Sequence, residues 1–333
     1  MSLFIVMYHY GAWLELDFVN LIFKAYGRYA VSIFYILSGF ALFHVYMNRL
    51  NTISDVKKFL KKRLKRVYPL FFVVTILTAL IFTVSEKNHI TLYKLFENLS
   101  LIFSINNWSN PIASGAWSIG NEIVFYVFFS VVFYKPLSRF SNLIIYITLV
   151  LSIIYGINAI PNTGEKMNET MWVIYTNPFY QIKFFILGFL LYKLQNYHLF
   201  KFLNLKKGLV SSLKWTLLFS VFLFSYLFSS INPIASFYGI IGTIISCVLI
   251  ILFSYDFQIN NLFKILNKAL FKLGTISYSL YLLHPIVYYF FKFSKGYFVI
   301  DFVELNYFIY FFMILVAIII SNISFKQIET RFK

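Results

Sequence analysis

The sequence predicts an all-α, polytopic transmembrane helical bundle of about ten spans, the first of them short or truncated, in a single domain over residues 1–333. Three observations carry this. The chain of 333 residues is 60% hydrophobic and only 12% charged, half the roughly 25% charge of a soluble domain. Apolar stretches close to the roughly 20 residues needed to cross a bilayer recur along its length. The basic residues fall between those stretches, mostly in alternate loops.

Taken in order, residues 1–13 are apolar but too short to span. They open at Met1 with neither a charged segment nor a cleavage site, unlike a signal peptide. They read as the outer part of a first helix, with an upstream start or a truncation expected. Full-length stretches follow at 29–48, 67–85, 116–134, 142–159, 175–192, 213–231, 235–254, 273–291 and 305–325. Loop 49–66 carries eight basic residues, from Arg49 to Arg66. With loops 135–141, 193–212 and 255–272, Lys214 and the tail, one side holds 21 Lys and Arg against 7 on the other. The positive-inside rule puts the 21 in the cytoplasm, so both termini are expected there. No internal repeat and no long linker interrupts the pattern.

The net charge of +17 does not point to nucleic acid, because the basic residues are spread between apolar spans. The single cysteine, Cys247, lies in an apolar run, allows no internal disulfide and reads as a small core residue. No metal-ligand spacing, phosphate loop or nucleophile elbow occurs, and no bound cofactor is expected.

Ionisable residues inside spans are costly and usually functional. Here they are His9, His44, Glu122, Lys183 and His284. Lys183 is read as lying toward the cytoplasmic end of its span, where it would snorkel. At 1.5 Å per residue, Glu122 lies roughly 9 Å from the outer end of its span. His9 and His284 fall in the outer halves of theirs, and Ser38 with Gly39 near mid-membrane. Such a layer suits chemistry: a histidine takes a proton from a hydroxyl near neutral pH, and a carboxylate orients it. Arg63 and Arg66, at the cytoplasmic mouth of the third span, suit phosphates. Blander roles compete at each position. A lone histidine also packs, the run 57–66 also anchors on anionic lipid, Trp117 and Tyr68 also fit an interfacial belt, and Gly39 and Gly188 also serve helix packing.

Five segments together resemble the acyltransferase 3 family of bacterial membrane acyltransferases, over nearly the whole chain. They are Tyr8-His9-Tyr10; Val31 to Phe40, ending in Leu37-Ser38-Gly39-Phe40; Arg63-Leu64-Lys65-Arg66 followed by Tyr68-Pro69; Trp117-Ser118-Ile119-Gly120-Asn121-Glu122; and Ser277-Tyr278-Ser279-Leu280-Tyr281-Leu282-Leu283-His284. The tail at Glu329 is similar to the family's closing Glu-x-Pro-Phe, with Arg331 in the proline's place. The acidic residue common before Phe-x-x-Gly in the sixth span is Phe184 here, and the family's arginine about three turns before the histidine would precede Met1. The form resembled is the stand-alone one, without an esterase-like domain at the C-terminus.

The resemblance implies an O-acyltransferase using acyl-CoA, with acetyl-CoA as co-substrate. The acceptor it implies is a hydroxyl of a cell-surface polysaccharide or its lipid-linked precursor. It implies His9 as the catalytic base, with Glu122 or a nearby tyrosine holding the imidazole. Arg63, Arg66, Tyr68, Ser38 and Gly39 would bind acyl-CoA. Trp117, Ser118, Asn121, Ser277, Tyr278, Ser279, Tyr281 and His284 would line the pocket, with Ser118, Asn121 or Ser277 as oxyanion donors. The competing readings are a transporter or flippase of lipid-linked oligosaccharide, which often shows paired repeats or broken helices, and a non-catalytic scaffold.

Overall fold

A computed structural model describes residues 1–85, 90–159, 169–196, 264–295 and 303–332, with Leu223, Ile244 and Ile245. The described residues are mostly helical, joined by turns and short loops, with no strand among them. The helices are α1 (Ser2–Trp13), α2 (Asp17–Tyr46), α3 (Ile53–Ser85), α4 (Leu92–Leu99), α5 (Phe103–Asn106), α6 (Ala116–Val132), α7 (Ser141–Ala159), α8 (Glu169–Thr176), α9 (Pro178–Asn196), α10 (Lys264–Thr275), α11 (Ser277–Lys295) and α12 (Val303–Ser324). A π-turn, Phe325–Glu329, closes the chain after α12.

Three described helical stretches are long and apolar enough to cross a membrane: Ile53–Ser85, Ser138–Asn158 and Asn306–Glu329. The expected spans at 213–231 and 235–254 lie outside the described residues but for Leu223, Ile244 and Ile245. The others fall on helices with shifted ends, 175–192 across the break at Asn177 between α8 and α9, and 273–291 across the break at Ile276 between α10 and α11. The expected basic loop 49–66 is a correction: α3 starts at Ile53, so most of that segment is helix. Its start is a reciprocal cap. Asp55 donates its backbone N–H to Thr52 Oγ1, at 3.2 Å, and accepts the Thr52 backbone N–H on its carboxylate, at 2.9 Å. Lys, Leu and Arg are good helix formers, so the basic stretch continues the apolar helix instead of ending it.

The chain divides into two compact units. The first holds Met1–Gly27, Lys58–Val124 and Ile265–Lys333. Its core joins α1, α11 and α12 through Val6, Tyr10, Leu280, Val287, Tyr310, Met313, Ile314 and Ala317, with Leu16 and Val19 from the chain after α1. That packing sets the two histidine-bearing helices side by side. The turn after α1 is a Schellman motif: the Leu16 N–H reaches the Gly11 carbonyl at 2.9 Å and the Glu15 N–H the Ala12 carbonyl at 3.4 Å. Glu15 takes the left-handed conformation this requires, with φ 56°. Elsewhere in the unit, fully buried Asn98 receives the Ile112 N–H on its side-chain oxygen at 2.9 Å. It thereby pins the loop that leads to Gly115 and α6.

The second unit holds Arg28–Lys57 and Phe125–Lys264. Its core is aromatic: Phe43 packs on Phe129, Phe133, Phe185 and Phe189, with ring centroids 4.7–5.7 Å apart. Here α2 and α9 approach through glycine. A Cβ on Gly39 would collide with the Phe185 carbonyl, and one on Gly188 with the Ile36 carbonyl. Helix α9 begins with Pro178 after Asn177, whose side chain accepts the Phe179 N–H at 2.7 Å. Lys183 does not snorkel. It is fully buried in the early turns of α9, donates to the Tyr180 carbonyl, and lies 3.1 Å from the centre of the Tyr180 ring. Helix α9 begins only at Pro178, which puts Lys183 near its N-terminal end, among aromatic rings, and the side chain curls back onto its own helix.

Candidate active site

The first unit brings together two histidines 275 positions apart: His9 Nδ1 lies 3.1 Å from His284 Nε2. Each arrives by simple helix geometry. Tyr10 is buried in the α1 core, so its neighbour His9 faces the adjoining helix, half-buried. His284 is fully buried on α11. The other nitrogen of His284, Nδ1, is 2.7 Å from the Tyr281 carbonyl oxygen. Pro285 explains why that carbonyl is open to it, since proline has no N–H to offer the carbonyl four residues back, which is Tyr281. From α1, the Tyr10 hydroxyl donates to the His284 carbonyl at 2.8 Å. Trp13, one turn beyond His9, stacks on the His284 ring with centroids 5.8 Å apart and planes 12° apart. The His284 imidazole is thus held on its edge, on its face and through its backbone.

One turn earlier on α11 is a second polar cluster. The Tyr281 hydroxyl donates to the Gly115 carbonyl at 2.9 Å. The Ser118 hydroxyl lies 2.9 Å from the same carbonyl and 2.8 Å from the Tyr281 oxygen. Gly115 has φ 81°, a left-handed conformation that suits glycine, and a Cβ there would stand 3.0 Å from the Tyr281 hydroxyl. Trp117 and Asn121 are buried beside Ser118 on α6, and Glu122 is half-buried. The Nδ1 of His9 meets His284, the position expected for Glu122 or a tyrosine. Ser118 is a poor oxyanion donor in this arrangement, because its one proton already has two acceptors within reach.

Among the remaining sequence candidates of this unit, Tyr278, Tyr68 and Ser279 tie elements together. The Tyr278 hydroxyl donates to the Val67 carbonyl at 2.6 Å, joining α11 to α3 just beyond Arg66. The Tyr68 hydroxyl donates to the Leu99 carbonyl at 2.9 Å. Arg63 is half-buried with its guanidinium carbon 5.6 Å from the centre of the Phe59 ring, while Arg66 is exposed. Ser277, half-buried, opens α11. Buried Ser279 donates to buried Glu329 of the π-turn. Ser38 and Gly39 belong to the second unit, where Gly39 serves the close α2–α9 approach.

Sequence reasoning did not single out Trp13, Gly115, Asn98 or the contact of Tyr10 with His284. Trp13 carried a usable signal, its i+4 spacing from His9. The backbone contacts carried none, because nothing in residue type says which carbonyl is left open.

No solved structure matches the chain. A protein of Acidianus two-tailed virus, named "Putative acetyltransferase ORF330", is 31% identical over 134 residues, 39% of this chain and 38% of that protein. The chain therefore spans well under half the length of that relative. The acyltransferase 3 family, described as an acyltransferase domain, matches residues 2–325, a stretch that takes in both histidines, the Arg63–Arg66 segment and α6. The described apolar helices are those of a membrane protein, and by that match, over nearly its full length, the chain belongs to the acyltransferase 3 family.

Proposed function

We propose that the protein is a membrane O-acyltransferase that moves an acyl group, acetyl in the first instance, from acyl-CoA to a hydroxyl of a cell-surface polysaccharide or its lipid-linked precursor. The observation that carries this is the part-buried His9–His284 contact inside a helix bundle of the acyltransferase 3 family. In the reaction His9 takes the proton of the acceptor hydroxyl. The oxygen attacks the thioester carbonyl carbon, the carbon–sulfur bond breaks, and the thiolate leaves and collects the proton. An ester and free coenzyme A result. Arg63 and Arg66, just below the apolar part of α3, have the charge for the donor's phosphates. By the distribution of Lys and Arg, they face the cytoplasm of a bacterial inner membrane, with both termini on the same side.

The test is thiol release from acetyl-CoA by membranes carrying the full chain, with the host's surface glycan present. General-base action is worth roughly 10²–10⁴-fold, so His9→Ala should lose most of the rate, and acetyl should appear on the glycan only with His9 present. Full activity in a folded His9→Ala protein would remove His9 from the mechanism. Absence of thiol release from the wild type, across several acyl donors, would leave the transporter reading in its place.

A further inference from the structure

The His9–His284 contact has a direction, and the backbone sets it. The Tyr281 carbonyl can only accept, so the His284 nitrogen facing it at 2.7 Å, Nδ1, must carry a proton. The i→i−4 bond that would otherwise occupy this carbonyl is removed by Pro285. A neutral imidazole has one N–H. An ionised ring is costly at this depth, and His284 is fully buried. Its Nε2 is therefore a bare acceptor. The partner atom 3.1 Å away, His9 Nδ1, must then be the donor. With its single proton on Nδ1, His9 keeps an unprotonated Nε2.

We infer that His284 is a positioning residue that fixes the proton of His9 on Nδ1, leaving His9 Nε2 as the nitrogen that accepts the substrate proton. The His284-Pro285 pair sets the order of donors from the Tyr281 carbonyl to His9. An imidazole does here what a carboxylate does when it orients a histidine base, without placing a second charge in the bundle. Trp13, stacked on His284, and Tyr10, bonded to its carbonyl, keep that ring from turning over. The catalytic meaning of this arrangement rests on the acyl-transfer reading above; the proton positions do not.

Nitrogen-15 NMR of the detergent-solubilised full chain, labelled at histidine, tests the proton positions directly. The chain has five histidines, so His9→Gln and His284→Gln spectra assign the two signals by difference. The expected wild-type result at neutral pH is a proton on Nδ1 and none on Nε2 for both rings. A proton on His9 Nε2, or a cationic ring in the pair, overturns the inference. The kinetic arm compares His284→Phe with His284→Gln. Phenylalanine offers no acceptor, so kcat should fall by roughly ten- to a hundredfold, a part of the full general-base effect, with KM for acyl-CoA within about threefold. In His284→Gln the new amide oxygen can accept from His9 and should restore part of kcat. Equal kcat in wild type and His284→Phe would overturn the positioning role. A wild type with the expected spectrum but no thiol release would sink the acyl-transfer reading and leave the proton order standing.

Discussion

At the scale of single residues, the Gly115–Ser118–Tyr281 cluster separates two roles that sequence reasoning merges. An oxyanion donor lost by mutation costs on the order of 10²–10³ in kcat. Ser118 has its hydroxyl hydrogen between the Gly115 carbonyl and the Tyr281 oxygen, so Ser118→Ala should lower thiol release by less than about tenfold, and stability by no more than the ~1 kcal/mol of one hydrogen bond. Tyr281 would still bond Gly115. Gly115→Ala is the harsher change. It forces an alanine into a left-handed conformation costing roughly 1–2 kcal/mol and drives its methyl toward the Tyr281 hydroxyl at 3.0 Å. Thermal unfolding in detergent, together with the thiol assay, measures both. Should Ser118→Ala match Gly115→Ala in lost activity while unfolding like wild type, Ser118 would be an oxyanion donor after all. The individual residues His9 and His284 were legible as rare polar groups in one membrane layer. Their partnership was not, because depth along a span says nothing about which way a side chain turns around it.

At the scale of elements, helices were legible and their ends were not. Hydropathy marks where lipid-compatible side chains lie, whereas hydrogen bonding decides where a helix stops. Helix α3 makes the difference concrete: the apolar stretch begins at 67, the helix at Ile53, and the intervening basic residues belong to both the cytoplasmic charge pattern and the helix. The Thr52–Asp55 box marks the helix start in the sequence, while the charge pattern that reports topology is equally that of a loop. The turn after α1 yields a prediction of its own. Glu15 sits in the left-handed position of a Schellman motif, which glycine fills most easily. The side chain is exposed, so Glu15→Gly should relieve about 1–2 kcal/mol of strain against about 0.5–1 kcal/mol of added unfolded-state entropy, a net gain in stability with thiol release unchanged. A lower melting temperature would mean that Glu15 contributes more through its charge than it costs in backbone strain. Asn98 makes the opposite case. Buried, with the Ile112 N–H on its oxygen, it should cost roughly 1–3 kcal/mol when replaced by alanine, because a backbone donor is left without its partner.

At the scale of the whole molecule, the chemistry depends on which side of the membrane each loop faces. Acyl-CoA is made inside the cell, so Arg63 and Arg66 can act on it only if the α3 N-terminus is cytoplasmic. The distribution of Lys and Arg, 21 against 7, predicts that it is, and predicts the 135–141 loop on the same side and the segment before α6 on the other. Two exposed positions report on this, Arg139 and Asn110. The chain has one native cysteine, Cys247, which a Cys247→Ser background removes. In intact cells a membrane-impermeant maleimide should label Asn110→Cys, and it should label Arg139→Cys only after the membrane is opened. Reversed labelling would turn the arginines away from their donor, and the acyl-CoA part of the proposal would fall while the His9–His284 geometry stood. If the labelling is as expected, the half-membrane assignment follows from it. α1 then runs outward and His9 lies two-thirds of the way along a short helix; because Tyr278 bonds the Val67 carbonyl beside Arg66 and His284 lies six residues further along α11, the acyl group must pass about 9 Å of the bilayer's depth from the arginines to the base. A pantetheine arm is slender enough for such a path between helices, so with the labelling as expected the donor's phosphates can stay at the cytoplasmic arginines while its thioester reaches His9.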